Sequence, residues 1–284
     1  MCFRERLKDL INGNREAVFD FELRDFSDWL IENRRSIPKL YRYVPANYFS
    51  IRGLETQTIY LAEIGKMNDI FEGLSGHIDA KTQSDFTGIS DLVYIKSFAE
   101  SFDNMLLWGI YADRFSGLCI EYDLSNMSSH PDYYVHLFPV VYQQQRYATN
   151  HSLHFAIKEL SEIKKDSDSC DIEFLRDIIS MFLVKSEHWM HEEEWRLIVP
   201  YVYMHLEWSE GGIFDDDEDA RLYSISDQMI DFPYATAVYM GPLIQSMQKQ
   251  HTVDICRKLG IRVYESKPSA TEFGLSYSEI THNL

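Results

Sequence analysis

Three consecutive glutamates, Glu192, Glu193 and Glu194, lie between Trp189 and Trp195, where a helical pattern gives way to a strand-like one. Adjacent like charges repel, and burying any of them is costly without a partner. A fold containing this segment must leave the cluster on a solvated helix end or hold its carboxylates rigidly. In a strand, Glu192 and Glu194 share a face and Glu193 points away; in a helix the pair diverges. His188 and His191, three apart and followed by Glu192, would share a helix face as a nitrogen–oxygen ligand set. The pattern is not HExxH, and histidines are common near helix C-termini, so no metal site is expected.

The composition is that of a folded chain: 284 residues, 45% hydrophobic and 14% aromatic, which leaves ample material for a core. A net charge of -18 argues against a surface that tracks phosphates, so general nucleic-acid binding is not expected. Cys2, Cys119, Cys170 and Cys256 form no CxxC pair and read as reduced thiols. With no apolar signal-like segment and no membrane-length apolar run, a cytoplasmic protein without a membrane partner is expected.

Along the chain, Phe19, Leu23, Phe26 and Leu30 recur with helical spacing, so residues 1–36 read as an N-terminal helical extension of an α+β domain over 37–284. Strands are predicted at Leu40–Val44, Thr58–Ala62, Leu92–Phe98, Leu118–Tyr122 and Tyr133–Tyr142, the last with a break at Pro139. Further strands are predicted at Arg196–Tyr203, Thr236–Met240 and Ile261–Tyr264. A helix capped by Ser101 or Asp103 carries Met105, Trp108 and Phe115 and ends at Gly117. Leu153–Leu160 and Ile172–Trp189 predict two more helices, and Pro242 opens another that runs toward Gly260. The acidic stretch Asp215–Asp219 lacks the spacing of an EF-hand and reads as a surface loop. No GxSxG is present, and Gly241-Pro242 falls far short of a dinucleotide-binding GxGxxG.

Three separated pieces suggest chemistry together. Arg42 lies on the first strand, Ser97 ends the third, and Glu192-x-Glu194 enters the strand that follows. An arginine fork binds pyrophosphate, and a carboxylate holds a ribose hydroxyl and stabilises an oxocarbenium-like transition state. The order resembles the arginine–serine–glutamate pattern of ADP-ribosyltransferases, although Lys96-Ser97-Phe98 departs from that family's Ser-Thr-Ser. A broader set of motifs includes Tyr41-Arg42-Tyr43, Asn68-Asp69-Ile70-Phe71-Glu72 and Ser97-Phe98-Ala99-Glu100. It continues through Trp108-Gly109-Ile110-Tyr111-Ala112, Gly117-Leu118-Cys119-Ile120-Glu121-Tyr122, Lys185…Trp189…Glu192-x-Glu194-Trp195-Arg196 and Tyr239-Met240-Gly241-Pro242. This set resembles the bacterial family called Domain of Unknown Function twenty-nine seventy-one, with Met67 and Ile70 replacing its usual Phe and Pro.

The two resemblances imply a single α+β domain with a central mixed or split β-sheet, ADP-ribosyltransferase-like and flanked by helices. They imply Glu194 as catalytic carboxylate, Glu192 as the residue orienting the acceptor, and Arg42, Ser97, Tyr111 and Trp108 as the pocket for NAD, the substrate. The expected activity is transfer of ADP-ribose or hydrolysis of NAD in a defence or toxin effector. The alternative is a non-catalytic ligand-sensing or protein-interaction module of a phage-defence system, with the same pocket holding a small nucleotide ligand. A metal-dependent nuclease using the acidic clusters is the third reading.

Overall fold

Short runs of aromatic and β-branched residues between turn residues build a sheet of nine strands in the computed structural model, which describes residues 3–11, 39–63, 67–69, 71, 93–125, 137–144, 182–200 and 229–280. In chain order its strands are β1 (Leu40–Val44), β3 (Ala62–Glu63), β4 (Val93–Ala99), β5 (Leu118–Tyr122), β6 (Leu137–Pro139), β9 (Glu194–Pro200), β11 (Ala235–Met240), β12 (Arg262–Pro268) and β13 (Leu275–Glu279). The path across the sheet is β13-β12-β11-β5-β1-β4-β9-β6, with β3 also on β4. Two small sheets pair β2 (Thr58–Tyr60) with β10 (Met229–Asp231) and β7 (Val141–Gln143) with β8 (Val184–Ser186). Only β11 and β12 run parallel within the large sheet, so the fold is α+β with a mostly antiparallel centre. That β11–β12 pair needs a crossover, which α4 (Ser246–Leu259) supplies.

The sheet nearly divides in its middle. β1 matches β5 from Leu40↔Tyr122 through Val44↔Leu118, and β4 matches β9 from Val93↔Pro200 through Ala99↔Glu194. Between β1 and β4 the register holds at Tyr41↔Ala99 alone. The sheet is therefore mixed and continuous, with its narrowest pairing between β1 and β4.

Strand alternation gives each face a distinct lining. On one face Tyr41, Tyr43, Cys119, Ala237 and Tyr239 pack with Leu107 and Trp108 of α3 (Met105–Ile110). On the other, Leu40, Val44, Ile120, Val238 and Met240 pack with Ile51 and Leu54 of α2 (Tyr48–Thr56) and with Val253, Ile255 and Cys256 of α4. Helix α1 (Phe3–Ile11) docks beside β7, and its Arg4 guanidinium reaches the Val140 carbonyl at 2.5 Å and the Glu100 carboxylate at 2.5 Å. No helix among the described residues is long and apolar enough to cross a membrane.

Several local expectations change. Helix α3 is capped by Asn104, whose side chain accepts from the Leu106 and Leu107 amides, and not by Ser101 or Asp103. It ends at Ile110, because Asp113, Arg114 and Phe115 all adopt left-handed backbone with φ of 45°, 52° and 69°. This costs about 1–2 kcal/mol per residue. The turn is held by the Phe115 amide on the Trp108 carbonyl and the Gly117 amide on the Ala112 carbonyl. It brings the backbone so close that a Cβ on Gly117 would lie 2.2 Å from the Val44 carbonyl oxygen, and one on Gly241 2.2 Å from that of Phe115. Pro242 consequently lies in a turn, and α4 begins at Ser246.

The helix expected to run to Trp189 is replaced from Val184 by β8 and a 3-10 helix over Glu187–Glu192. The strand expected over 133–142 breaks at Val140, beside Pro139, into β6 and β7. The predicted helices at Phe19–Leu30 and Leu153–Leu160, most of that at Ile172–Trp189, and the loop Asp215–Asp219 lie outside the described residues.

Candidate functional site

A cavity of about 230 Å³ opens where β1 and β4 part. Its lining includes Tyr41, Arg42 and Tyr43 from β1, and Ile95 through Ala99 from β4. Met67, Asn68, Leu107, Tyr111, Lys185, Glu192 and Glu194 contribute from the flanks. Five residues singled out in the sequence therefore converge: Arg42, Ser97, Tyr111, Glu192 and Glu194. Trp108 does not line the cavity. It is fully buried in the core, with its indole Nε1–H on the Phe102 carbonyl at 2.9 Å and its ring edge-on to Tyr43 at 5.3 Å. Its spacing on α3 turns it toward the sheet, so its contribution is packing.

The boundary between helix and strand falls within the glutamate triplet. Glu192 is the last residue of the 3-10 helix, Glu193 sits in left-handed backbone at φ 45°, and Glu194 opens β9. Neither strand alternation nor a helix relates the two carboxylates; the left-handed turn at Glu193 does. Glu193 itself is exposed, whereas Glu192 and Glu194 are buried.

Both buried glutamates converge on Lys185, which sequence reasoning included in a motif without assigning a role. Its ammonium lies 2.6 Å from Glu192 Oε2 and 2.9 Å from Glu194 Oε2, and 5.0 Å from the centre of the Trp189 ring. Arg196 grips Glu194 through Nε at 2.8 Å and Nη2 at 3.1 Å, a two-pronged pairing that fixes the carboxylate plane. The Tyr111 hydroxyl donates to Glu192 Oε1 at 2.6 Å and accepts from Asn68 Nδ2 at 3.1 Å. The Asn104 side-chain amide donates to the His191 carbonyl at 2.6 Å, tying the start of α3 to the end of the 3-10 helix. Among the described residues two carboxylates and two cations sum to zero charge, the condition under which a buried ionic cluster is tolerated.

Burial by itself raises the pKa of Glu194, but the Arg196 and Lys185 cations outweigh it and hold the carboxyl at about 2. This group is an anion and acceptor at every physiological pH, and it has no proton to donate. Ser97, directly across from Arg196 in the β4–β9 register, adds to the lowering, although its buried Oγ makes no hydrogen bond of good geometry among the described residues. Tyr111 is pushed up by burial and by the Glu192 carboxylate it donates to, so it remains a phenol.

Arg42 belongs to the opposite face. Tyr41 pairs with Ala99 and Ala99 with Glu194, which places Tyr41 and Glu194 on one face and Arg42, one residue on, on the other. Lys96 shares the Arg42 face, because its neighbour Ser97 shares that of Arg196. The two faces meet only through the gap between β1 and β4. Lys96 was overlooked because its strand reads as a continuous buried run; the one available signal was a lysine inside it.

No group of three His, Cys, Asp or Glu side chains among the described residues is arranged to hold a metal ion. No curated protein and no solved structure matches the chain. A family match covers the stretch that supplies Tyr111, Lys185, Glu192, Glu194 and Arg196, while Arg42, Lys96 and Ser97 precede it. Residues 107–197 match the model of the family described as protein of unknown function (DUF2971), the one that the motif set resembles.

Proposed function

We propose that the protein is a ligand-binding module whose cleft, where β1 and β4 part, takes a small molecule bearing a planar ring. The observation that carries this is the cavity itself. Tyr41, Tyr43, Phe98 and Tyr111 provide aromatic surface, and a rigid, charge-neutral cluster forms one wall. Cavities of this composition take small ligands, and about 230 Å³ lies below the usual range of roughly 300–1,000 Å³ for drug-sized molecules. That size suits one ring with its substituent better than an entire dinucleotide. The carboxylates are already committed to cations, which fits a wall that positions a ligand. Titration calorimetry with adenosine, nicotinamide and NAD, alongside Tyr111→Ala, tests the reading. Binding that Tyr111→Ala weakens supports it; no heat from any of the three sinks it.

A second reading keeps the chemistry: transfer of ADP-ribose from NAD, or NAD hydrolysis, with Glu194 facing the developing oxocarbenium and Glu192 orienting the acceptor. One observation favours it. Arg42, Ser97, Tyr111, Glu192 and Glu194 line the same cleft although the chain separates them widely. An ionised carboxylate beside a cavity is what a positively charged transition state requires. Incubation with NAD should then release nicotinamide, and Glu194→Gln should abolish the release. A folded protein that releases none acts by binding alone. A role in phage defence, as effector or sensor, is compatible with either reading and is tested by challenge of a host carrying the wild-type or Tyr111→Ala gene.

A further inference from the structure

The cavity holds two cations that the neutral cluster leaves uncompensated. Lys96 is buried, and its ammonium donates to the Tyr60 carbonyl of β2. Arg42, reaching the cavity from β1 on the same face, acts on the Tyr122 hydroxyl of β5. Among the described residues no carboxylate acts on either side chain, and Leu197, opposite Lys96 on β9, carries no charge. The contrast with the other wall is sharp, since there Lys185 and Arg196 each face a carboxylate. It is sharper still in a chain with 45 acidic and 27 basic side chains, where a counterion would be easy to supply.

A buried lysine beside a half-buried arginine without a counterion is unfavourable, and burial followed by the Arg42 charge pushes Lys96 well below the usual lysine range. An anion between them reverses each of these costs. A guanidinium fork and a point-charge ammonium together suit the oxygens of a phosphoryl group.

We propose that Arg42 and Lys96 form an anion subsite of the cleft, which takes the phosphoryl end of a small-molecule ligand. This rests on the ligand-binding reading only in sharing its cavity, and it gives the ligand a chemical class: a ring carrying phosphate. An anion there favours the charged form of Lys96. The other charged groups lining the cavity, Lys185, Glu192 and Glu194, sit across it in their own closed cluster.

The test is calorimetric titration of the full chain with inorganic pyrophosphate in a phosphate-free buffer. Wild type should bind. Lys96→Met and Arg42→Met should each weaken binding at least about tenfold, while Lys96→Arg stays within about threefold. The proposal is overturned if wild type does not bind pyrophosphate, or if folded Lys96→Met and Arg42→Met bind as wild type does. Adenosine and nicotinamide, which carry no phosphate, report on the ring pocket separately. If they bind while pyrophosphate does not, the subsite alone is refuted; if pyrophosphate binds and they do not, the ring pocket alone is.

Discussion

Replacing Glu194 by glutamine removes one negative charge from a buried cluster of four and leaves every heavy atom in place. The carboxylate is held by Lys185 at 2.9 Å and by Arg196 at 2.8 and 3.1 Å. A pKa lowered from 4.5 to about 2 converts to about 3 kcal/mol of stability, at 1.36 kcal/mol per unit. Breaking a buried ion pair by removing one partner costs about 3–5 kcal/mol by an independent route. The sign follows from proton counting. Between pH 4.5 and about 2 the unfolded chain binds the proton and the folded one does not, so this stabilisation is complete above pH 4.5 and is lost as pH falls through that window. Urea denaturation followed by tryptophan fluorescence, from pH 7 down to pH 2, should show Glu194→Gln about 3 kcal/mol less stable at pH 7, the gap closing toward pH 2. A variant within 1 kcal/mol of wild type at pH 7, or two curves that stay parallel down to pH 2, would refute the electrostatic account.

Trp108→Ala should cost about 3–5 kcal/mol in the same denaturation assay, because a buried indole leaves a cavity; a loss below about 1 kcal/mol would return Trp108 to the cleft. Tyr111→Phe deletes the hydroxyl that donates to Glu192 at 2.6 Å and should cost about 1.5–3 kcal/mol. A change smaller than about 0.5 kcal/mol would mean that the bond does not form in solution. Gly117→Ala should prevent accumulation of soluble protein, since its Cβ would meet backbone at 2.2 Å, which no side-chain shift relieves. A soluble variant with a wild-type melting temperature would show that the left-handed turn is not as described.

The strands were legible wherever a run of aromatic and aliphatic residues sat between turn residues. β1 and β5 match their predicted bounds, because both are central strands buried on both faces. The region of the glutamates was harder. Val184–Ser186 continues the apolar spacing of the preceding residues, so periodicity alone extends the helix; pairing with β7, distant in sequence, overrides it. The end of α3 was misplaced for a different reason. Asp113, Arg114 and Phe115 are ordinary residues for a right-handed helix, and only the close packing of Gly117 and Gly241 forces them left-handed.

Of the site, the polar residues were legible as residues but their partners were not. Glu192 and Glu194 stand out in any reading of the chain. That Lys185 bridges both depends on Glu193 taking a left-handed turn, and glutamate does not announce this as glycine would. Lys96 was hidden more deeply, because its neighbourhood with Arg42 exists only through the partial separation of β1 from β4.

That separation lies in the main chain. One flank of the gap is secured to β5 from Leu40 through Val44, and the other to β9 from Val93 through Ala99. Behind β1, the backbone of Gly117 lies against the Val44 carbonyl. The width of the opening is therefore inherited from pairing and glycine contacts, independently of the side chains that project into it. A point substitution in the lining therefore changes the chemistry of the opening while leaving its dimensions to the main chain.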